Sequence, residues 1–115
     1  MDERLEKALD FSNYMVTLNN QKRALKEKFL SDCVFYQNGG RFTITKDLIN
    51  FCKTMIDFGN HDELILIDDN DLPIEIENLK DFFQKIVDIY FSASNSYHSE
   101  YQKIRNNRSV EKMTQ

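Results

Sequence analysis

Residues 2–31 carry apolar side chains at the spacing of an α-helix and contain neither glycine nor proline. A single helix over this segment would be roughly 40 Å long, whereas a compact domain of this chain length has a radius of gyration of about 13 Å. The helix must therefore either break near residues 17–20, where TLNN is a poor helix former, or project from the domain and need a partner. The apolar positions follow the i, i+3, i+4 rule with a small drift in the second half: Leu5, Leu9, Met15, Val16, Leu18, Leu25 and Phe29.

Residues 33–45, CVFYQNGGRFTIT, are typical of a β-hairpin. Apolar and polar residues alternate on both sides of Asn38-Gly39-Gly40, and Asn-Gly favours a type I′ turn because both central residues need positive φ. The alternative is a glycine-rich loop that cradles a phosphate, but the Lys-Ser/Thr ending of such loops is missing. The glycines are therefore expected to serve the geometry of the turn.

Two helices and a second hairpin follow. A helix is predicted from Lys46 to Phe58, with Thr45 as its N-cap and Gly59 at its end. Residues 64–67, LILI, read as a short strand, and residues 74–77, IEIE, as its partner. Proline cannot donate to a ladder, so Pro73 predicts either an edge strand or a strand that starts at Ile74. Asn78 is then expected to cap a long helix from residue 79 onward.

The unit strand–turn–strand–helix thus occurs twice, about 31 residues apart. A weak internal repeat and a chance similarity between two amphipathic units both explain this. The predicted fold class is α+β: a long N-terminal helix followed by two β-hairpin–helix units, with a small antiparallel sheet of four strands packed against helices. Strand order stays open. Residues 1–105 are expected to form a single domain and residues 106–115 a polar, frayed C-terminal tail, and the two long helices could pair.

Composition limits the classes of protein that fit. A hydrophobic content of 41% with 12% aromatic residues is that of a globular chain. A net charge of −4 argues against a binder of nucleic acid over its whole surface. No apolar run approaches the length of a transmembrane helix, and the charged N-terminal residues lack the apolar segment of a signal peptide. We therefore expect a cytoplasmic protein with no membrane partner.

The middle of the chain is acidic, and Asp68, Asp69 and Asp71 fall on one turn. Carboxylates on a turn suit a divalent cation, but the glycine and glutamate of a calcium-binding loop are missing at their positions. The favoured alternative is a solvated turn that keeps a sheet edge soluble. No metal site and no cofactor are predicted.

Catalytic groups are sparse. Cys33 and Cys52 are expected to be buried and reduced, with a disulfide between them as the lesser alternative. His61 reads as a loop residue and His98 as a residue on a polar helix face, and neither has a nucleophile at a recognised spacing. The sequence therefore predicts no catalytic residues and no enzymatic activity.

Large apolar side chains on the long helices exceed what a small sheet can cover, which predicts self-association as a dimer or higher oligomer. Packing within one chain is the alternative for the same residues. The candidate protein interface is an aromatic and apolar set on the first and last helices: Phe11, Tyr14, Leu18, Tyr90, Tyr97 and Tyr101.

A second, different function would use the C-terminal segment. Its basic residues follow two tyrosines, so charge together with stacking could bind nucleic acid; solvated helix faces are the ordinary alternative. The candidate contacts are Lys103, Arg105, Arg108 and Lys112.

The segments DFSNYMVTLNNQKRALKEKF, NGGRFTITKDLINFCKT, LIDDNDLPIEI and RSVEKM resemble small uncharacterised proteins of cyanophage-type marine myoviruses. Abundant Asn, Lys, Ile, Phe and Tyr, with only three glycines and one proline, agree with an AT-rich genome. The resemblance transfers no catalytic or binding residue. It implies a phage-type accessory protein, regulatory or for assembly, in the host cytoplasm. We therefore expect a non-enzymatic interaction module whose long helices contact itself and a further, unidentified protein partner.

Overall fold

The computed structural model describes residues 2–59 and 62–114, with side chains described up to residue 107. The chain is α+β, as the sequence predicts, with helices at both ends and two β-hairpins separated by a short helix. In chain order the elements are α1 (Glu3–Asp32), β1 (Val34–Gln37), β2 (Gly40–Thr43), α2 (Lys46–Asp57), β3 (Leu64–Ile67), β4 (Pro73–Ile76) and α3 (Leu79–Thr114).

Helix α1 is one unbroken helix of 30 residues, about 45 Å long. Asp2 caps it, because the carboxylate accepts a hydrogen bond of 3.2 Å from the backbone nitrogen of Arg4. The weak helix formers at residues 17–20 do not end it. Packing against another helix stabilises a helix more than intrinsic propensity does, and α1 packs against α3. Of the two possibilities raised by the sequence, the projecting helix is the one observed.

The first hairpin has the predicted turn. Strands β1 and β2 are antiparallel, with Phe35 opposite Phe42. Asn38 and Gly39 have φ angles of 51° and 79°, as a type I′ turn requires. Gly40 has a different role from the one expected. A Cβ atom placed on it would lie 2.6 Å from Cγ1 of Ile74, so this glycine lets the two hairpins come together.

The expected four-stranded sheet is wrong, because the structure contains two separate two-stranded sheets, β1–β2 and β3–β4. The turn between β3 and β4 lies against the free edge of β2 in place of a third strand. The backbone nitrogen of Asp69 donates to the carbonyl of Arg41 at 2.8 Å. The carboxylate of Asp68 accepts from the Arg41 nitrogen at 3.0 Å, and that of Asp69 from the Thr43 nitrogen at 3.0 Å. Side-chain oxygens therefore satisfy donors that carbonyls of a neighbouring strand would otherwise satisfy.

The other predicted boundaries agree with the structure. The Thr45 hydroxyl accepts from the Leu48 nitrogen at 3.1 Å and caps α2, and Gly59 follows that helix with a φ of 94°. Asn78 caps α3 through a bond of 3.2 Å from the nitrogen of Asp81. Pro73 is the first residue of β4, where its missing N–H is tolerated.

One hydrophobic core joins both hairpins to the first turns of α3. The rings of Phe35 and Phe42 lie 5.8 and 5.4 Å from the ring of Phe82. The buried members of this core are Cys33, Phe42, Ile44, Cys52, Leu66, Ile74, Ile76, Leu79, Phe82, Ile86 and Ala93. We call this part of the molecule, formed by the hairpins, α2 and the start of α3, the head.

Helices α1 and α3 pair side by side, as the sequence suggested. Phe29 contacts Tyr90 and Tyr97, whereas Lys22 contacts Tyr101, so the two helices run antiparallel. Residues 106–114 belong to α3. The pair, which we call the arm, gives the molecule dimensions of 69 × 25 × 18 Å and a radius of gyration of 21.0 Å. A compact domain of this length would have about 13 Å.

Candidate functional site

The predicted aromatic interface lies largely between α1 and α3. The ring centroid of Phe29 is 6.0 Å from that of Tyr90 and 5.1 Å from that of Tyr97. Leu18 is only 3% exposed. These side chains already have neighbours within one chain, which favours the alternative reading of them as intramolecular packing residues.

The remaining members of the predicted interface are arranged differently. Phe11 is 62% exposed and Tyr101 39%, and the ammonium group of Lys22 lies 6.0 Å from the Tyr101 ring centroid, within reach of a cation–π contact. The hydroxyl of Tyr14 is buried and has no hydrogen-bond partner among the described residues. The arm therefore keeps some aromatic surface, although most of the predicted set is used to hold its two helices together.

The predicted basic residues are not brought into one described patch. Lys103 forms an ion pair of 3.0 Å with Glu100, and Arg105 is exposed on α3. Arg108 and Lys112 belong to α3, but their side chains lie outside the described residues. Since the two helices run antiparallel, this half of α3 points toward the N-terminal end of α1, which carries Asp2, Glu3, Glu6 and Asp10.

A second apolar face of α1 was missed by the sequence analysis. Leu5, Leu9, Val16 and Leu30 are between 45% and 56% exposed. The apolar spacing predicted a single stripe that joins the first three to Leu18, but a helix turns about 200° between residues 16 and 18. The step from Val16 to Leu18 in the sequence therefore indicates two apolar faces, one toward α3 and one toward solvent. We call the solvent-facing positions, spaced by four and three residues, the outer stripe: Leu5, Leu9, Ser12, Val16, Asn19, Arg23, Lys26 and Leu30.

All eight positions of the outer stripe are exposed. At its C-terminal end, Leu30 borders an open depression of about 460 Å³ on the outer face of the first hairpin. The depression is lined by Leu30, Ser31, Val34, Tyr36, Arg41 and Thr43. Tyr36 is 69% exposed at this place, so the apolar surface of the arm continues onto the head.

The aspartate turn is structural through Asp68 and otherwise solvated as expected, because Asp69 and Asp71 are exposed. Asp68 is only 5% exposed. Its carboxylate accepts backbone hydrogen bonds from Leu72 at 2.8 Å, Arg41 at 3.0 Å and Asn70 at 2.9 Å. These bonds hold the pKa of Asp68 below its usual value, with the Leu72 bond contributing most and burial opposing. Among the described residues no cluster of three or more His, Cys, Asp or Glu side chains could hold a metal ion.

Both cysteines are free thiols in the core, as predicted. Burial raises the pKa of Cys52 to about 11, and burial followed by the charge of Asp32 raises the pKa of Cys33. Raised pKa values keep thiols protonated and poorly nucleophilic. His98 lies on an exposed helix face within 3.2 Å of the Gln102 amide, as expected, whereas His61 lies outside the described residues.

Within the described part of the chain, no helix combines the length and the apolar character needed to cross a bilayer. Comparison of the chain with protein-family models, curated proteins and solved structures finds no match.

Proposed function

We propose that the chain is a non-enzymatic interaction module that self-associates through its long helices, as a phage-type accessory protein with a regulatory or assembly role. The observation that carries this proposal is the outer stripe on α1. Four large apolar side chains, Leu5, Leu9, Val16 and Leu30, are exposed on this face of α1, and an exposed apolar surface of this kind marks a site of protein contact. The resemblance in sequence supports the phage-type role and a location in the host cytoplasm.

The chemistry of the described side chains agrees with a binding role. The two potential sulfur nucleophiles are buried with raised pKa values, and the aspartates that could have bound a cation hold the hairpins together. The surface that we consider for function is therefore the exposed apolar and charged face of the long helices. Such a surface recognises proteins by packing and charge complementarity. The same surface could hold a further protein partner at the exposed ends of the arm.

Light scattering after size-exclusion chromatography tests this proposal. The wild-type chain is expected to elute as a dimer or larger oligomer at micromolar concentrations. The variant Leu9→Ser/Val16→Ser replaces two half-exposed apolar side chains of the outer stripe and is expected to weaken association about tenfold or more, since burial of one such side chain is worth roughly 1.5–3 kcal/mol. A matched control is Phe58→Ser on the head, where the side chain is 78% exposed.

Two results would contradict the proposal: a monomeric wild-type chain, or equal association of the stripe variant and wild type. Absorbance at two wavelengths in the same run tests the other class of function. Nucleic acid that co-elutes with the chain and leaves at high salt would favour binding through the basic half of α3. In that case Arg105→Glu/Arg108→Glu should abolish nucleic-acid binding and leave the oligomer intact.

A further inference from the structure

The outer stripe has heptad spacing along α1, and four of its eight positions are apolar: Leu5, Leu9, Val16 and Leu30. Its eight positions alternate steps of four and three residues from Leu5 to Leu30, which is the spacing of a helix seam in a coiled coil. The stripe is distinct from the seam toward α3, which contains Leu18 and Phe29. Helix α1 therefore has two seams, and among the residues that the structure describes only one of them is occupied.

The charges along α1 differ between its two ends. Residues 2–10 contain four acidic and two basic side chains, whereas residues 22–28 contain four basic and one acidic. A parallel second α1 would place Arg23 and Lys26, two members of the stripe, opposite their own copies, and like charges in direct opposition are unfavourable. An antiparallel second α1 places the acidic end of each helix beside the basic end of the other.

The antiparallel orientation brings apolar members of the stripe together at its two ends, whereas between the ends Leu9 meets Lys26 and Val16 meets Asn19. Its longest register sets the first stripe position against the last, so that Leu5 meets Leu30, and both are about half exposed. The acidic N-terminal turn of one copy then lies at the depression beside Leu30, whose lining includes Arg41, itself paired with Asp69 at 2.8 Å. The contact of Leu5 with Leu30 therefore lies at the same two ends as the pairing of the acidic segment of one helix with the basic segment of the other.

We propose that a second copy of this chain packs along the outer stripe in antiparallel orientation, with Leu5 of each copy against Leu30 of the other. This dimer rests on the proposed self-association. It specifies which surface the two copies share, the antiparallel direction of their helices and the residues that face each other. In this dimer the two heads lie at opposite ends of a central pair of α1 helices, and each α3 stays on the outer side of its own α1.

Disulfide trapping tests the direction. The variants Leu5→Cys and Leu30→Cys are prepared separately, checked for helix content by circular dichroism, and oxidised alone or as an equimolar mixture. The expected result is a cross-linked dimer that is at least tenfold more abundant in the mixture than in either variant alone. Peptide mapping should join positions 5 and 30, and Leu72→Cys on the exposed part of the head serves as a control that should not cross-link to either.

The outcomes separate the two proposals. Efficient cross-linking of Leu5→Cys to itself would show a parallel pair and overturn the antiparallel arrangement while self-association stands. A wild-type dimer without any cross-link between positions 5 and 30 would also overturn this inference and leave the proposed function intact. A wild-type chain that is monomeric by light scattering would overturn both.

Discussion

At the scale of single residues, Asp68 shows how a short stretch of acidic sequence becomes structural. Its carboxylate accepts three backbone hydrogen bonds within a turn, one of them from the neighbouring hairpin. Bonds of this kind favour the ionised form of a carboxylate. The side chain that looked most suited to solvent or to a cation is thus one of the few polar groups inside the head.

The stability of the chain should therefore fall in acid through Asp68. A carboxylate with a lower pKa in the folded than in the unfolded chain contributes stability that is complete above the unfolded pKa, about 3.9. That contribution is lost as the pH falls through the lower folded pKa. We expect the free energy of unfolding of wild type to decrease below about pH 4 more steeply than that of Asp68→Asn.

Urea unfolding between pH 2 and pH 7 measures this difference. Asp62→Asn is the control, because it removes one carboxylate without touching the turn. If the curves of wild type and Asp68→Asn ran parallel over the whole range, the hydrogen bonds to Asp68 would not be the source of the acid sensitivity.

At the scale of elements, the contact between the two hairpins depends on the missing side chain of Gly40. A Cβ atom there would lie 2.6 Å from Cγ1 of Ile74, which is 8% exposed. We expect Gly40→Ala to lower the free energy of unfolding by about 1–3 kcal/mol, the usual cost of overpacking. Thermal and urea unfolding measure the effect.

A double-mutant cycle gives this prediction its control. Ile74→Ala removes both Ile74 atoms that the new methyl group would meet and leaves Cε2 of Phe42 at 3.1 Å, so Gly40→Ala should cost less in that background than in wild type. Additive losses would show that the two residues do not interact, and would point instead to a backbone effect of the substitution.

Local chemistry made most of the elements predictable from the sequence. The Asn-Gly turn, the caps at Thr45 and Asn78, and the apolar spacing of the helices each act within a few residues. The relation between the hairpins was not predictable in the same way. It depends on the carboxylates of Asp68 and Asp69, which bind residues of β2 that are 26 to 28 positions away in sequence. A periodic pattern of apolar residues does not predict such a contact.

The surface of the arm was only partly predictable for a related reason. A list of apolar residues does not say which seam each one occupies, and α1 has two seams on nearly opposite faces, with Val16 on one and Leu18 on the other. The tyrosines of α3 were predicted to lie at an interface with another protein. Tyr90 and Tyr97 instead contact Phe29 of α1 in the same chain. Whether Phe11 and Tyr101 also contact another protein stays a prediction.

At the scale of the whole molecule, the elongated shape of one chain means that the length of a dimer depends on the orientation of its two copies. One chain is 69 Å long, and α1 occupies about 45 Å of that length. Antiparallel packing over the full outer stripe would extend the particle to about 90 Å, with a head at each end. A parallel dimer would stay near the length of one chain.

Small-angle X-ray scattering on a concentration series measures this length. The antiparallel dimer is expected to show a maximum dimension of about 90 Å and a distance distribution with a second maximum from the separated heads. A dimer no longer than a single chain would contradict the antiparallel arrangement. The Leu9→Ser/Val16→Ser variant provides the monomer curve for comparison.

The antiparallel pairing of the first helix with the last has a mechanical consequence. Residues 3 and 114 belong to the same end of the arm, so a pull applied between them would part α1 from α3 one turn at a time, starting from the tip. Such peeling breaks few contacts at once and should proceed at low, nearly constant force. The force would act on the head only after the ring contacts of Phe29 with Tyr90 and Tyr97 had separated.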